Sequence, residues 1–236
     1  MHYIVTGGCG FIGGHLVERL AEQGYQVTVV DDQRNGKFVT HQSNVDYIFE
    51  DVCDFTPPPC DGIIHLANTP RVRLSFEQPV DAILNNIAPT VHVAEWAAMY
   101  DCPLYFAQSS SALFSEPYAN PYTFGKAMSE ESLHFYQKHW GIKFHMLYFY
   151  NVYGPREISA GKYATLIALF NNKLRKDEPL TIVKPGLQKR NFTHIDDIID
   201  GLILIGAKGK GDEFGIGHHK EYSVLEIANL FKLELS

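Results

Sequence analysis

No run of apolar residues in the 236-residue chain approaches the ~20 needed to cross a bilayer as a helix. That argues against a membrane span. No block of lysine and arginine stands out either, and the net charge is −7. A nucleic-acid partner, whose phosphates are held by basic side chains, is therefore not expected; the densest basic stretch, residues 173–176, reads as one solvated helix face. Cysteine is scarce. The four residues, Cys9, Cys53, Cys60 and Cys102, form no C-x-x-C pair. They read as free thiols in a reducing compartment, which makes a cytoplasmic location the expectation. The eleven histidines lack ligand spacing too, and His218-His219 reads as a loop pair, so no metal is expected. Residues 1–5 enter a strand with no basic n-region before an apolar run, which argues against a signal peptide. A strained G-x-S-x-G elbow is missing, and with it the serine-hydrolase reading.

What is present is concentrated at the start. Tyr3-Ile4-Val5 reads as a short buried strand, and Gly7, Gly10 and Gly13 form a glycine-rich turn. Phe11, Ile12, Leu16, Val17 and Leu20 then follow a helical apolar pattern. Strand, glycine turn and helix in that order make a phosphate cradle, because backbone N–H groups can approach an anion and the helix N-terminus is partly positive. A second apolar strand, residues 26–30, ends in Asp31, eighteen residues after Gly13. A dinucleotide-binding unit places an acid near there to hold a ribose 2′-hydroxyl.

Strand and helix patterns go on alternating. Residues 45–49, 62–66, 103–107 and 142–149 read as strands, and residues 79–100 and 121–140 as long helices with a proline at or near the start. Such alternation predicts a parallel sheet covered by helices on both faces, with ligands beyond the carboxyl ends of the strands. Asp31, Asp51, Asn68 and Ser109-Ser110-Ser111 all follow strand ends. The last third is less regular. Residues 163–174 and 195–205 read as helices and 180–183 and 214–216 as strands, while Ser223 with Glu226 forms a capping box for a final helix. The expected organisation is a Rossmann-type, doubly wound α/β domain over residues 1–156. A small C-terminal substrate lobe over 157–236 is interleaved with it.

The sharpest constellation is Tyr122-Thr123-Phe124-Gly125-Lys126, with Tyr122 and Lys126 on one face at a helix start. A phenol, with a pKa of about 10, is a poor base at neutral pH, but a nearby ammonium favours the phenolate. Y-x-x-x-K alone is common; the glycine turn and the serines one connection earlier give it force.

In combination these motifs resemble the extended short-chain dehydrogenase/reductases, the NAD-dependent sugar epimerase/dehydratase family, and UDP-glucose 4-epimerase-like members most of all. The likeness runs through Thr6 to Gly13, Asp31, Asp51-Val52, His65-Leu66-Ala67, Asn85 to Thr90, Ser109-Ser110-Ser111, Tyr122 to Lys126, Tyr150 to Arg156, and Arg190 to Asp197. It implies NAD as cofactor. Gly7, Gly10, Phe11, Ile12 and Gly13 would wrap the pyrophosphate, and Asp31, with Asp32 beside it, would hold the adenosine ribose. Asp51 and Val52 would contact adenine. Leu66, Ala67, Asn86, Ser109 and Tyr150 would lie along the cofactor, with Asn86 helping to order the active-site strands. Ser111, Tyr122 and Lys126 would be catalytic, Lys126 also binding the nicotinamide ribose. Ser111, Asn151 and Arg190 would contact the substrate, a nucleotide sugar with UDP favoured, and the two long helices would form a four-helix homodimer interface.

The chain departs from the family where Ala112 and Leu113 follow Ser111. The family's 4,6-dehydratases carry an acidic pair there, and its decarboxylases a glutamate. Only ten residues separate Ser111 from Tyr122, so the covering loop is short. C4 epimerisation is the favoured reading. The alternatives are a sugar or carbonyl dehydrogenase/reductase that releases its cofactor, and a non-catalytic NAD-binding interaction protein.

Overall fold

A computed structural model describes residues 1–70, 72–110, 116–159, 161 and 164–233. The chain divides into two compact units, Met1–Tyr148 with Lys208–Phe214, and Phe149–Ala207 with Gly215–Ser236.

In the first unit, β1 (His2–Thr6), β2 (Gln26–Val30), β3 (Val45–Ile48), β4 (Gly62–His65), β5 (Leu104–Ser109) and β6 (Phe144–Phe149) line up with a later strand, β10 (Glu213–Ile216). They form a seven-stranded sheet in the order β10-β6-β5-β4-β1-β2-β3. The pairs β1–β2, β1–β4, β2–β3 and β4–β5 are parallel, with Tyr3 opposite both Val27 and Gly62. Order reverses on either side of β1, so the crevice between the carboxyl ends of β1 and β4 is the place for a ligand. Every residue of β4 is buried. This is why the strands read as unbroken apolar runs and not as alternating ones. Ile4, Val5, Val29, Ile63, Leu104 and Phe106 are fully buried with Val17 of α1 (Phe11–Glu22). Full burial of each such side chain contributes about 1.5–3 kcal/mol.

A short helix, α2 (Val72–Glu77), precedes α3 (Pro79–Tyr100), and α4 (Pro121–Trp140) packs along α3. Asn120 caps α4 through Thr123 N at 3.0 Å, Pro121 fills the first position, and Gly141 ends the helix at φ +70°. Gly125 sits where α4 meets α3. A Cβ there would lie 3.0 Å from Ala82 O and 3.2 Å from Asn86 Cβ. The close approach of the two helices therefore depends on a residue without a side chain.

The second unit holds two small ladders. β7 (Val152–Tyr153) runs parallel to β9 (Thr193–His194), and β8 (Lys189–Asn191) antiparallel to β11 (Glu221–Ser223). Phe170 of α5 (Leu166–Arg175) packs with Val224, Ile227 and Ala228 of α7 (Val224–Leu233), and α6 (Ile195–Lys208) buries Ile195, Ile198 and Ile199. The strand expected at residues 180–183 does not form. Leu180 and Ile182 pack on the Phe170 core as unpaired chain. The capping box is present: Glu226 Oε2 accepts from Ser223 N at 2.7 Å, and Ser223 Oγ from Glu226 N at 3.1 Å. Among the described residues no helix is long and apolar enough to cross a membrane, and no three His, Cys, Asp or Glu side chains converge on a metal position.

Candidate active site

The turn after β1 is built so tightly that side chains are excluded. Gly7 has φ +73°, and a Cβ on it would lie 2.7 Å from Ala67 N. A Cβ on Gly13 would lie 2.2 Å from Gly7 O. Gly10 is the N-cap of α1 with no side-chain cap, and the helix's own first turn carries no acid. These features fit a bound pyrophosphate.

Asp31, at the end of β2, is buried against that turn. Its Oδ2 accepts from Cys9 N at 2.9 Å and its Oδ1 from Gln33 N at 2.7 Å. Burial pushes its carboxyl up, while the bonds from Gln33 and Cys9 oppose the rise. Next to it stands a residue the sequence reading passed over. Arg34 Nη2 is 2.9 Å from Asp32 Oδ2 and 3.8 Å from Asp51 Oδ2. Asp51 Oδ1 accepts from Cys53 N at 2.9 Å, and Val52 is buried.

A polar chain runs from β1 through β4 to α4. Thr6 Oγ1 lies 2.7 Å from His65 Nδ1, and Asn68 Nδ2 donates to His65 Nε2 at 3.3 Å. His65 Nε2 also lies 3.2 Å from Thr90 Oγ1, so both ring nitrogens are engaged. Burial first, then the charge of Lys126, holds His65 neutral, with its pKa lowered to about 3. Asn68 Nδ2 also donates to Ala67 O at 2.6 Å, which turns Oδ1 toward Lys126.

Lys126 is 3% exposed. Its Nζ donates to Asn68 Oδ1 and to Ala107 O and lies 4.6 Å above the Phe106 ring. Burial pulls its pKa down to about 7. The two oxygens and the ring face favour the charged form against that pull. Gln108 fastens the end of β5 to the same helix, donating to Glu130 Oε2 at 2.9 Å.

Tyr122 is half-buried in the first turn of α4, one turn before Lys126. Leu66 and Ala67 follow β4 and Ser109 ends β5, with Ser109 N bonded to Gln108 Oε1. Phe11 and Ile12 open α1. Ser111, expected to be catalytic, lies outside the described residues. Asn86 is fully buried, with bonds inside α3, to Thr69 and, through Ser129, to α4. Its carbonyl accepts from Thr90 Oγ1 at 2.7 Å and Ser129 Oγ at 2.8 Å, and its Nδ2 donates to Ala82 O and Thr69 O. It thus ties α3 to α4 beside Gly125.

In the second unit, Asn151 sits at φ +33° and donates from Nδ2 to Asn191 O at 2.9 Å. The Tyr150 ring occupies the space beside Gly217, where a Cβ would come within 2.7 Å of it. Arg190 is exposed on β8, opposite Tyr222 of β11.

A doubly wound parallel sheet, a glycine turn at its switch point and an acid closing β2 define a dinucleotide-binding Rossmann protein. The NAD dependent epimerase/dehydratase family model matches residues 3–217, and the chain belongs to that family, whose cofactor is NAD. It is 30% identical over 251 residues to a Methanocaldococcus jannaschii protein named, provisionally, as a UDP-glucose 4-epimerase, covering 98% of this chain and 82% of that one. UDP-glucuronic acid decarboxylase 1 of Xenopus tropicalis is 26% identical over 252 residues, 97% of this chain but 59% of the decarboxylase. The crystal structure of UDP-glucose 4-epimerase from Thermotoga maritima, with UDP-glucose, superposes with a TM-score of 0.91 at 29% identity, covering 99% of this chain and 82% of that one.

Proposed function

We propose that this chain is an NAD-dependent UDP-sugar 4-epimerase. The observation that carries the reading is Lys126, a buried ammonium seated between Asn68 Oδ1 and Ala107 O one helical turn after Tyr122. In this reading the cation favours the Tyr122 phenolate, which then takes the proton of the sugar 4-hydroxyl. NAD, when bound, supplies a reversible hydride acceptor for C4. Gly7, Gly10, Phe11, Ile12 and Gly13 would hold its pyrophosphate, and Asp31 with Asp32 its adenosine ribose. Asp51 and Val52 would meet adenine, while Leu66, Ala67, Asn86, Ser109 and Tyr150 would flank the rest. Tyr122 returns its proton to the same oxygen once the 4-keto sugar has turned. Ser111 assists at that oxygen, and Asn151 and Arg190 contact the nucleotide sugar. Ala112 and Leu113 after Ser111 favour epimerisation over decarboxylation, which needs an acid there.

The same reading includes a homodimer through α3 and α4. Val80, Leu84 and Met99 of α3 and Phe135 and Trp140 of α4 are large apolar residues left exposed, which suits burial against a second copy. Incubation with UDP-glucose, UDP-N-acetylglucosamine and UDP-glucuronic acid separately, followed by proton NMR, tests the activity. The expected result is inversion at C4 of one of them. Loss of carbon dioxide, or no change in any, contradicts it.

A further inference from the structure

At the edge of the sheet opposite the glycine turn, two cysteines meet. Cys60 precedes β4 by two residues and Cys102 precedes β5 by two, and their sulfurs lie 3.7 Å apart. We infer that Cys60 and Cys102 are a reversible dithiol–disulfide pair that staples the N-terminal ends of β4 and β5 when a small-molecule disulfide is present.

The backbone suits the bond. Ile63 pairs with Leu104, so the register continued outward sets Cys60 one residue off from directly opposite Cys102. Strands about 4.8 Å apart and an offset of about 3.3 Å give a Cα separation of about 6 Å, inside the range disulfides use. Closing to a bond of about 2.05 Å takes a sulfur movement of less than about 2 Å. Both flanking loops are already held. Tyr100 Oη donates to Pro57 O at 2.7 Å, and Phe55 meets Trp96 edge-on at 5.7 Å. His2 lies 2.9 Å from Pro59 O through Nδ1 and donates from its backbone N to Asp61 Oδ2 at 2.7 Å. The run Pro57-Pro58-Pro59 stiffens the approach to Cys60.

The two thiols differ in a way that orders the chemistry. Cys60 is half-buried and within reach of a reagent, whereas Cys102 is 5% exposed and faces Cys60. The two sulfurs share one hydrogen bond in which either can be the donor, so the difference in exposure makes Cys60 the first to meet a reagent. The Cys60 thiolate attacks a disulfide RSSR, forming Cys60–S–S–R and releasing RSH. The Cys102 thiolate then attacks the Cys60 sulfur, the mixed disulfide breaks, and a second RSH leaves. Two electrons pass from the protein thiols to RSSR, and its two sulfurs depart as thiols. The closed loop holds β4, α2 and α3, and with them His65, Asn68 and Asn86. The S–S contact joins Cys60 to Cys102, and Cys9 and Cys53 are free thiols outside it, so they serve as internal controls.

The test uses the full chain and oxidised glutathione, followed by denaturation in iodoacetamide and peptide mass spectrometry. The expected product is a peptide joining Cys60 to Cys102, with Cys9 and Cys53 alkylated. The melting temperature should rise by about 5 °C or more and return on reduction. In Cys102→Ser, with no second thiol to displace glutathione, Cys60 should stop at the mixed disulfide. Wild-type protein with both Cys60 and Cys102 alkylated, or with glutathione retained on Cys60, overturns the proposal. Mapping of wild type decides the matter even where the variant does not fold.

Discussion

The ammonium of Lys126 on α4 donates to the side-chain oxygen of Asn68 at the end of β4, 58 positions earlier in the chain. That bond sets both where the cation sits and how readily it keeps its proton.

Activity that needs the Lys126 ammonium should fall as pH rises through about 7, where burial has brought its pKa. Asn68→Asp places a carboxylate against Nζ and should move that falling limb upward by about 1–3 units. Asn68→Leu removes the acceptor and should cut kcat about tenfold to a hundredfold with KM little changed. The pH dependence of kcat checks both; a falling limb that stays put in Asn68→Asp refutes the role given to Asn68.

His65 bears on stability. Its folded pKa of about 3 lies below the ordinary 6.5, so the unfolded chain takes up the proton first. The stability it contributes is complete above pH 6.5 and is lost as pH falls from there to about 3, on the order of a few kcal/mol. Urea unfolding at pH 7 and pH 4 should show a smaller acid loss in His65→Gln than in wild type.

Asp31 and Arg34 should govern the choice of dinucleotide. Asp31→Ser should weaken NAD about tenfold, the equivalent of about 1.4 kcal/mol. Adding Asp32→Ser releases Arg34 from its 2.9 Å bridge and should bring NADP closer to NAD in affinity. Calorimetric titration of both dinucleotides reads this out. Wild-type protein that binds NADP as tightly as NAD contradicts it.

Gly13→Ala drives a methyl toward Gly7 O, 2.2 Å from the ideal Cβ position. The turn must distort, at a cost of about 1–3 kcal/mol. NAD binding should be lost while circular dichroism keeps the fold's helical signal.

Much of this could be read in the residues, because local chemistry dictates it. Glycine spacing announced the turn, unbroken apolar runs announced buried parallel strands, and Ser223 with Glu226 announced the last helix. What escaped depends on long-range packing. Nothing in the spacing of Asn68 and Lys126 links them, although Asn68 follows a strand end. Arg34 looks like any loop arginine until Asp32 and Asp51 close around it. Residues 180–183 have the composition of a strand, yet among the described residues no partner strand comes alongside, and Leu180 and Ile182 serve the Phe170 core.

The central claim is that Tyr122, with Lys126 behind it, moves the proton at the reacting hydroxyl. Tyr122→Phe, purified and compared with wild type for NAD binding by titration and for UDP-sugar turnover, tests it most directly. The account predicts NAD affinity within about threefold of wild type and turnover lowered about a thousandfold. Turnover near the wild-type rate in that variant contradicts it.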